Sequence, residues 1–158
     1  MRVGWGFDAH PLDGDPPLTL GGVVVSNSVG VTATSDGDVL AHAVTDALMG
    51  ACALGDIGQH FPSDDPALSG ANSMVLLREA VTMAMAGNWK PTHVDVTVVA
   101  EHVKIAPYRD AIRGVLADAL DVSVEDVSVK ATTTDGLGFV GRGEGVAAIA
   151  VMTVEALS

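Results

Sequence analysis

The sequence predicts an α+β fold, a mixed β-sheet with helices packed on one face. Three observations lead there. Stretches rich in β-branched residues at 94–100, 127–134 and 146–154 alternate with segments whose apolar residues recur at helical spacing. The late strands are apolar on both faces: Val98 and Val99 point opposite ways, as do Val151 and Met152. The second face therefore needs a partner, which a symmetric oligomer supplies economically. Hydrophobic residues make up 48% of the chain but aromatic residues only 4%, so Val, Ala, Leu and Ile must fill the interior in tight helix-on-sheet layers. The 158 residues suit one domain spanning 1–158, without internal repeats or low-complexity segments.

In chain order, residues 2–9 alternate in part and are bounded by Gly4, Gly6 and the His10-Pro11 step, which predicts a first strand ending at a polar pair. Residues 13–17 form a turn, and 18–25 a hairpin interrupted by Gly21-Gly22, with an irregular stretch from Ser26 to Ser35. Asp36-Gly-Asp38 precedes Val39, Leu40, Ala43, Val44, Ala47 and Leu48, so a helix over about 38–53 carries acidic residues at its positive end. A break at 55–66 leads to a second helix over 72–86, with Met74, Leu77, Val81 and Met85 on one face. After the strand at 94–100, Pro107 opens a third helix whose inward residues are Tyr108, Ile112, Val115, Leu116 and Ala119. The strands at 127–134 and 146–154 flank a loop, 136–145, that contains five glycines.

A formal charge of −12 with eight Lys and Arg repels nucleic acid phosphates and anionic lipid surfaces, so neither nucleic acid nor membrane is an expected partner. A small phosphorylated substrate remains compatible if divalent cations and backbone N–H groups supply local positive potential. Cys52, the single cysteine, excludes an internal disulfide and a Cys-rich zinc cluster, and fits a reducing compartment. Met1 leads directly into strand-like residues, and apolar runs such as 146–154 are too short to span a bilayer, so a cytoplasmic location is expected.

Asp8 and His10, two residues apart on a strand, leave the same face and can converge on one ion; His42 is a third candidate ligand among apolar helical neighbours. One Asp and two His suit zinc with an open fourth position. Solvated strand-end groups and a packed helical His are the plain alternatives. Asp38 and Asp46, four residues either side of His42, are candidates to orient its imidazole, or else solvated helix charges. Lys130-Ala-Thr-Thr-Thr-Asp135 ends in hydroxyls and a carboxylate, and the glycine-rich run after it brings Arg142, a planar donor for diphosphate oxygens. Asp56-Ile-Gly-Gln-His-Phe-Pro-Ser-Asp-Asp65 offers carboxylates in an irregular loop, with helix capping as the competing role. Glu101-His-Val-Lys104-Ile-Ala-Pro107 joins a strand to a helix, where a phosphate or base edge can dock.

Across essentially its whole length the chain resembles the 2-C-methyl-D-erythritol 2,4-cyclodiphosphate synthase family. The resemblance rests on Gly6-Phe-Asp8-Ala-His10, Ser35-Asp-Gly-Asp38, His42, Thr45-Asp-Ala47, Leu54-Gly-Asp56-Ile-Gly58, Phe61-Pro62, Lys130-Ala-Thr-Thr-Thr134 and Gly138-Phe-Val-Gly-Arg-Gly-Glu-Gly145, in that order and spacing.

This resemblance implies a homotrimer with interface active sites and sheets lining a central apolar channel. It implies zinc, or a similar divalent cation, on Asp8, His10 and His42, and magnesium or manganese held with the help of Asp135. The implied substrate is the nucleotide 4-diphosphocytidyl-2-C-methyl-D-erythritol 2-phosphate, which closes to the cyclic diphosphate and releases CMP. By position, Asp8, Ala9 and His10 reach the substrate, and Thr34 and Ser35 lie on a loop that contacts its phosphate. Asp56, Ile57 and Gly58 hold the erythritol hydroxyls in a pocket lined by Phe61, Pro62, Ser63, Asp64 and Asp65. The cytidine diphosphate end falls to Ala100, Glu101, His102, Val103, Lys104, Ile105 and Ala106 with Thr132, Thr133, Thr134 and Asp135, Thr133 aiding the transition state. Phe139 and Arg142 stand near the substrate or the channel mouth, where family members can hold an isoprenoid diphosphate.

Three positions depart from the family pattern: Thr34 where His is usual, Val103 where Pro is usual, and Trp5 where several members have His. Thr34 donates one neutral hydrogen bond and cannot be cationic, so this loop should stabilise charge less well. A catalytically weak isoprenoid-diphosphate binder and a zinc phosphohydrolase are the competing readings.

Overall fold

The computed structural model describes residues 1–157. The chain runs β1 (Arg2–Pro11), β2 (Leu18–Leu20), β3 (Val23–Ser26), α1 (Val39–Cys52), α2 (Ile57–His60), α3 (Ser73–Ala86), β4 (Trp89–Val99), α4 (Arg109–Leu120), β5 (Val127–Thr132), α5 (Gly138–Gly141) and β6 (Gly145–Ala156). Four strands form one mixed sheet in the order β1-β6-β4-β5, antiparallel except for the parallel β4–β5 pair. Strands β2 and β3 make a separate hairpin. The predicted α+β class with a mixed sheet and helices is the observed one.

The even residues of β1 face α1. Gly4 and Gly6 are buried, whereas Val3, Trp5 and Phe7 on the odd positions are 66%, 61% and 47% exposed. The two glycines, expected to bound the strand, lie inside it. They allow the α1 backbone to lie directly on the strand: a Cβ at Gly6 would fall 2.1 Å from the Ala43 carbonyl oxygen, and one at Gly4 would fall 1.9 Å from that of Ala47. Asp8 and His10 continue the same face and so arrive beneath the first turns of α1.

Helix α1 is buried nearly all round, as a central helix must be. The residues left out of its buried set, His42, Asp46 and Gly50, recur every four positions and form one stripe. The helix starts where Asp38 caps it. The Asp38 carboxylate, fully buried, accepts from the N–H groups of Ala41 (3.0 Å), Gly21 (2.8 Å) and Gly22 (2.7 Å). Burial pushes this carboxyl above its usual range, against the pull of the three N–H donors. Gly21 and Gly22 have φ of +58° and +74°, the left-handed conformations a two-residue hairpin turn needs. Asp38 thus ties the β2–β3 turn to the start of α1. Asp38→Ala leaves three donors without an acceptor and is expected to cost about 3 kcal/mol in denaturant unfolding.

Three other expectations are adjusted. β4 begins at Trp89, five residues earlier than its apolar run, because a bulge between Pro91 and His93 admits the proline. Within α3, Met74, Leu77 and Val81 are buried with Leu76, Ala80 and Ala84, but Met85 is 47% exposed, one residue from the helix end. The glycine-rich segment 136–145 contains the single helical turn α5, anchored by buried Val140. Among the described residues no helix is long and apolar enough to cross a membrane.

Candidate metal centre and active site

Asp8 and His10 from the end of β1 meet His42 from α1. Asp8 Oδ2 lies 2.9 Å from His10 Nε2 and 2.9 Å from His42 Nδ1, and the two nitrogens are 3.2 Å apart. Four ligands at zinc distances of about 2.0–2.1 Å would be separated by roughly 3.3 Å in a tetrahedron. The three atoms therefore form a slightly contracted face of such a tetrahedron, with the fourth corner left for water or substrate. Burial opposes ionisation of Asp8, but hydrogen bonds from His10 and His42, and their charge, hold its carboxyl well below the usual range. The donor set, one carboxylate oxygen and two imidazole nitrogens, fits a borderline divalent ion such as zinc. It is the one such cluster among the described residues.

Neither acidic neighbour on α1 orients His42. Asp38 is occupied as described, and Asp46 Oδ1 accepts from Ile57 N–H at 3.2 Å, which fixes the start of α2. His42 Nε2 instead meets Ser73 Oγ at 2.9 Å and Ser35 Oγ at 3.2 Å. Ser73 was missed from the sequence because it lies 31 residues away at the start of another helix, and no periodicity links the two.

The three ligands form part of the wall of a cavity of about 550 Å³. The same cavity brings in Thr34, Ser35, Asp56, Ile57, Gly58, Phe61, Pro62 and Ser63, all singled out from the sequence. Asp46 and the apolar residues Phe7, Ala33, Leu68 and Leu76 complete the lining. Phe7 falls within the Gly6-Phe-Asp8 segment already singled out; for Ala33, Leu68 and Leu76 the sequence offered no signal beyond their hydrophobicity. Capping, the competing role for the acidic loop residues, is realised at two of them. Asp56 caps α2 through Gln59 N–H at 3.0 Å while lining the cavity, and Asp65 accepts from Ala67 N–H at 2.9 Å outside it. Asp64 is exposed and also outside the lining.

The segments expected at the nucleotide end form a second group. Residues 100–106 and 132–135 adjoin at the ends of β4 and β5, where Ala100 N–H donates to Thr132 O at 3.0 Å. Glu101 binds them together, accepting from Thr134 N–H and Gly136 N–H, each at 3.2 Å. Thr133 Oγ1 lies 3.3 Å from Asp135 Oδ1, and Asp135 takes a φ of +52°, which turns its exposed carboxylate at the loop tip. His102, Lys104 and Ala106 are exposed, Val103 is half-buried, and Ile105 is buried in the core. No residue of this group lines the 550 Å³ cavity.

A smaller cavity of about 280 Å³ joins His10 and Ala9 to Phe139, Pro11, Glu144 and Gly145. Arg142 does not line it; its guanidinium is paired with Glu144 at 2.8 and 3.0 Å. That pairing lowers the Glu144 carboxyl and raises the guanidinium, both on the protein surface.

Fold and site together define a class: an α+β protein with a three-ligand candidate metal centre in the wall of a cavity lined by both polar and apolar side chains. The chain belongs to the YgbB family, whose model matches residues 1–155. A protein of Shewanella piezotolerans named 2-C-methyl-D-erythritol 2,4-cyclodiphosphate synthase is 51% identical over 152 residues, covering 96% of each chain. One of the same name from Pseudomonas aeruginosa is 51% identical over 151 residues, again covering 96% of each. The bifunctional IspDF from Campylobacter jejuni superposes with a TM-score of 0.96 at 39% identity, over 99% of this chain and 42% of that one. The present chain thus spans less than half of that bifunctional protein. A CDP complex of IspF from Plasmodium falciparum superposes with a TM-score of 0.86 at 32% identity, over 99% and 97% of the two chains.

Proposed function

We propose that this chain is a metal-dependent cyclising lyase. It converts 4-diphosphocytidyl-2-C-methyl-D-erythritol 2-phosphate to 2-C-methyl-D-erythritol 2,4-cyclodiphosphate with release of CMP, a step of non-mevalonate isoprenoid synthesis. The observation that carries this reading is the convergence of Asp8, His10 and His42 in the wall of the cavity that Thr34, Ser35, Asp56 and Gly58 also line, in a chain half identical to synthases of that name.

Ring closure is intramolecular. An oxygen of the 2-phosphate attacks the β-phosphorus in line, a new P–O bond forms, the bond from that phosphorus to the bridging oxygen breaks, and CMP leaves. Positioning and charge neutralisation therefore matter more than a strong base. Asp8, His10 and His42 would hold zinc and Asp135 would help hold magnesium or manganese; when bound, such ions would supply Lewis-acid polarisation and neutralise the crowded phosphates. One exposed carboxylate at Asp135 suits magnesium, which commonly takes few protein ligands and completes its shell with substrate phosphate and water. Asp56, Ile57 and Gly58 hold the erythritol hydroxyls, with Phe61, Pro62 and Ser63 enclosing them; Asp64 and Asp65, expected in the same pocket, lie outside its lining and are left out of this role. Residues 100–106 and 132–134 hold the cytidine diphosphate, and the Thr133 hydroxyl donates to the phosphoryl oxygens as charge builds.

A homotrimer completes this site. Two features support it: the nucleotide-binding group lies outside the cavity lining, so a neighbouring chain can supply it, and Val3, Trp5, Phe7 and Val151 are exposed. Trp5 and Phe7 stack at 6.2 Å. Burying each large side chain against a partner contributes about 1.5–3 kcal/mol. Sedimentation at three chain masses is expected; a monomer at working concentration would contradict it. A single catalytic domain over 1–158 and a cytoplasmic location belong to the same reading, the latter supported by the lone buried Cys52.

Phosphorus NMR of the purified protein with substrate tests the function. A cyclic diphosphate with stoichiometric CMP, dependent on added divalent metal, is expected. A linear product with free phosphate would identify a phosphohydrolase instead. Absence of turnover with tight geranyl diphosphate binding would favour an isoprenoid-diphosphate binder, a reading weakened by the engagement of Arg142 with Glu144. Thr34→His replaces a neutral donor with one that can be cationic. At about 1 kcal/mol per charged over neutral hydrogen bond, turnover should rise roughly fivefold.

A further inference from the structure

We propose that Ser73, backed by Asp36, is a positioning residue for the metal centre, holding the His42 ring so that Nδ1 presents its lone pair to the ion. The inference rests on the metal reading of the site given above and extends it to residues outside the ligand set.

Donor and acceptor directions carry the argument. Ser73 is fully buried in the first turn of α3. Its hydroxyl donates to Asp36 Oδ1, and its backbone N–H donates to Asp36 Oδ2 at 3.0 Å. A serine hydroxyl has one hydrogen, and here the carboxylate takes it. Toward His42 Nε2, 2.9 Å away, Ser73 Oγ can only accept, so Nε2 carries the proton. Ser35 Oγ, which accepts from Gly37 N–H, stands 3.2 Å from the same nitrogen and is a second acceptor for it. Once an ion takes the place of the Nδ1 proton that hydrogen-bonds Asp8 Oδ2, the ring protonated at Nε2 presents its lone pair at Nδ1, the atom that faces Asp8 Oδ2 and His10 Nε2.

Ligating histidines generally donate their other N–H to a carboxylate or carbonyl, which fixes ring orientation and raises ligand basicity. Here the carboxylate acts at one remove, through a hydroxyl. The α1 acids cannot take this role, since Asp38 and Asp46 are committed to backbone N–H groups. The start of α3 is thereby coupled to the metal ligand of α1.

Competition with a chromophoric chelator measures zinc affinity in the full chain, alongside melting of the metal-free forms. Ser73→Ala should weaken zinc binding about 10- to 100-fold while shifting the metal-free melting temperature by no more than a few degrees. Ser73→Thr, which keeps the hydroxyl, should recover most of the loss. In zinc-loaded wild type, the His42 Nε2 proton should also show a nuclear Overhauser contact with the Ser73 β protons. Equal zinc affinity in Ser73→Ala and wild type, or absence of that contact, overturns the proposal while leaving the metal reading intact. Wild type that retains no zinc removes both.

Discussion

His42→Ala is expected to lose zinc and to lower turnover at least 10³-fold, with the fold intact. The estimate follows from a metal contribution of several kcal/mol to charge stabilisation, about 4 kcal/mol corresponding to three orders of magnitude. The fold should survive because His42 belongs to the stripe of α1 left out of its buried core. Removing its ring leaves Asp8 and His10 as a two-ligand site, too few for tight zinc binding. Asp8→Asn should act similarly by a different route: it keeps the shape but removes the anion that both imidazoles face at 2.9 Å. Metal content per chain, measured beside turnover, checks both. Full activity in a variant without bound metal would contradict the account.

Gly6→Ala is expected to have the largest effect on stability, about 3 kcal/mol or more in denaturant unfolding. The added Cβ would meet the Ala43 carbonyl oxygen at 2.1 Å and the Ala47 nitrogen at 2.6 Å. Both are helix backbone, so no flexible side chain can give way, and β1 must lift from α1. The same movement separates Asp8 and His10 from His42. A misplacement of about 1 Å can cost around 100-fold in rate, so molecules that still fold should be poor catalysts. Gly114→Ala serves as the control. Nothing lies within 4 Å of its added Cβ, and it sits inside α4, so alanine there should stabilise by about 0.5–1 kcal/mol.

Elements governed by local periodicity were legible in the sequence. The repeat from Val39 to Leu48 placed α1 to within a residue at each end, and β-branched runs located β5 and β6. Asp8, His10 and His42 were legible as a candidate set because strand alternation brings the first two to one face. What joins them was not legible. Gly4 and Gly6 read as bounds of the first strand, yet their role is to let a helix backbone touch that strand, a contact between residues about 40 apart. Helical spacing alone made Asp38 and Asp46 candidates to orient His42, or else solvated helix charges. Backbone N–H groups from the β2–β3 turn and from α2 claimed them instead. Ser73 reaches His42 only through the packing of α3 on α1. The separation of residues 100–106 and 132–135 from the cavity likewise depends on tertiary geometry.

Anomalous diffraction at the zinc edge on metal-loaded crystals tests the central claim most directly. One ion per chain is expected, bound by Asp8 Oδ2, His10 Nε2 and His42 Nδ1, with its fourth position open to the 550 Å³ cavity. An ion held by other side chains, or a His42 ring turned to bind through Nε2, would contradict it.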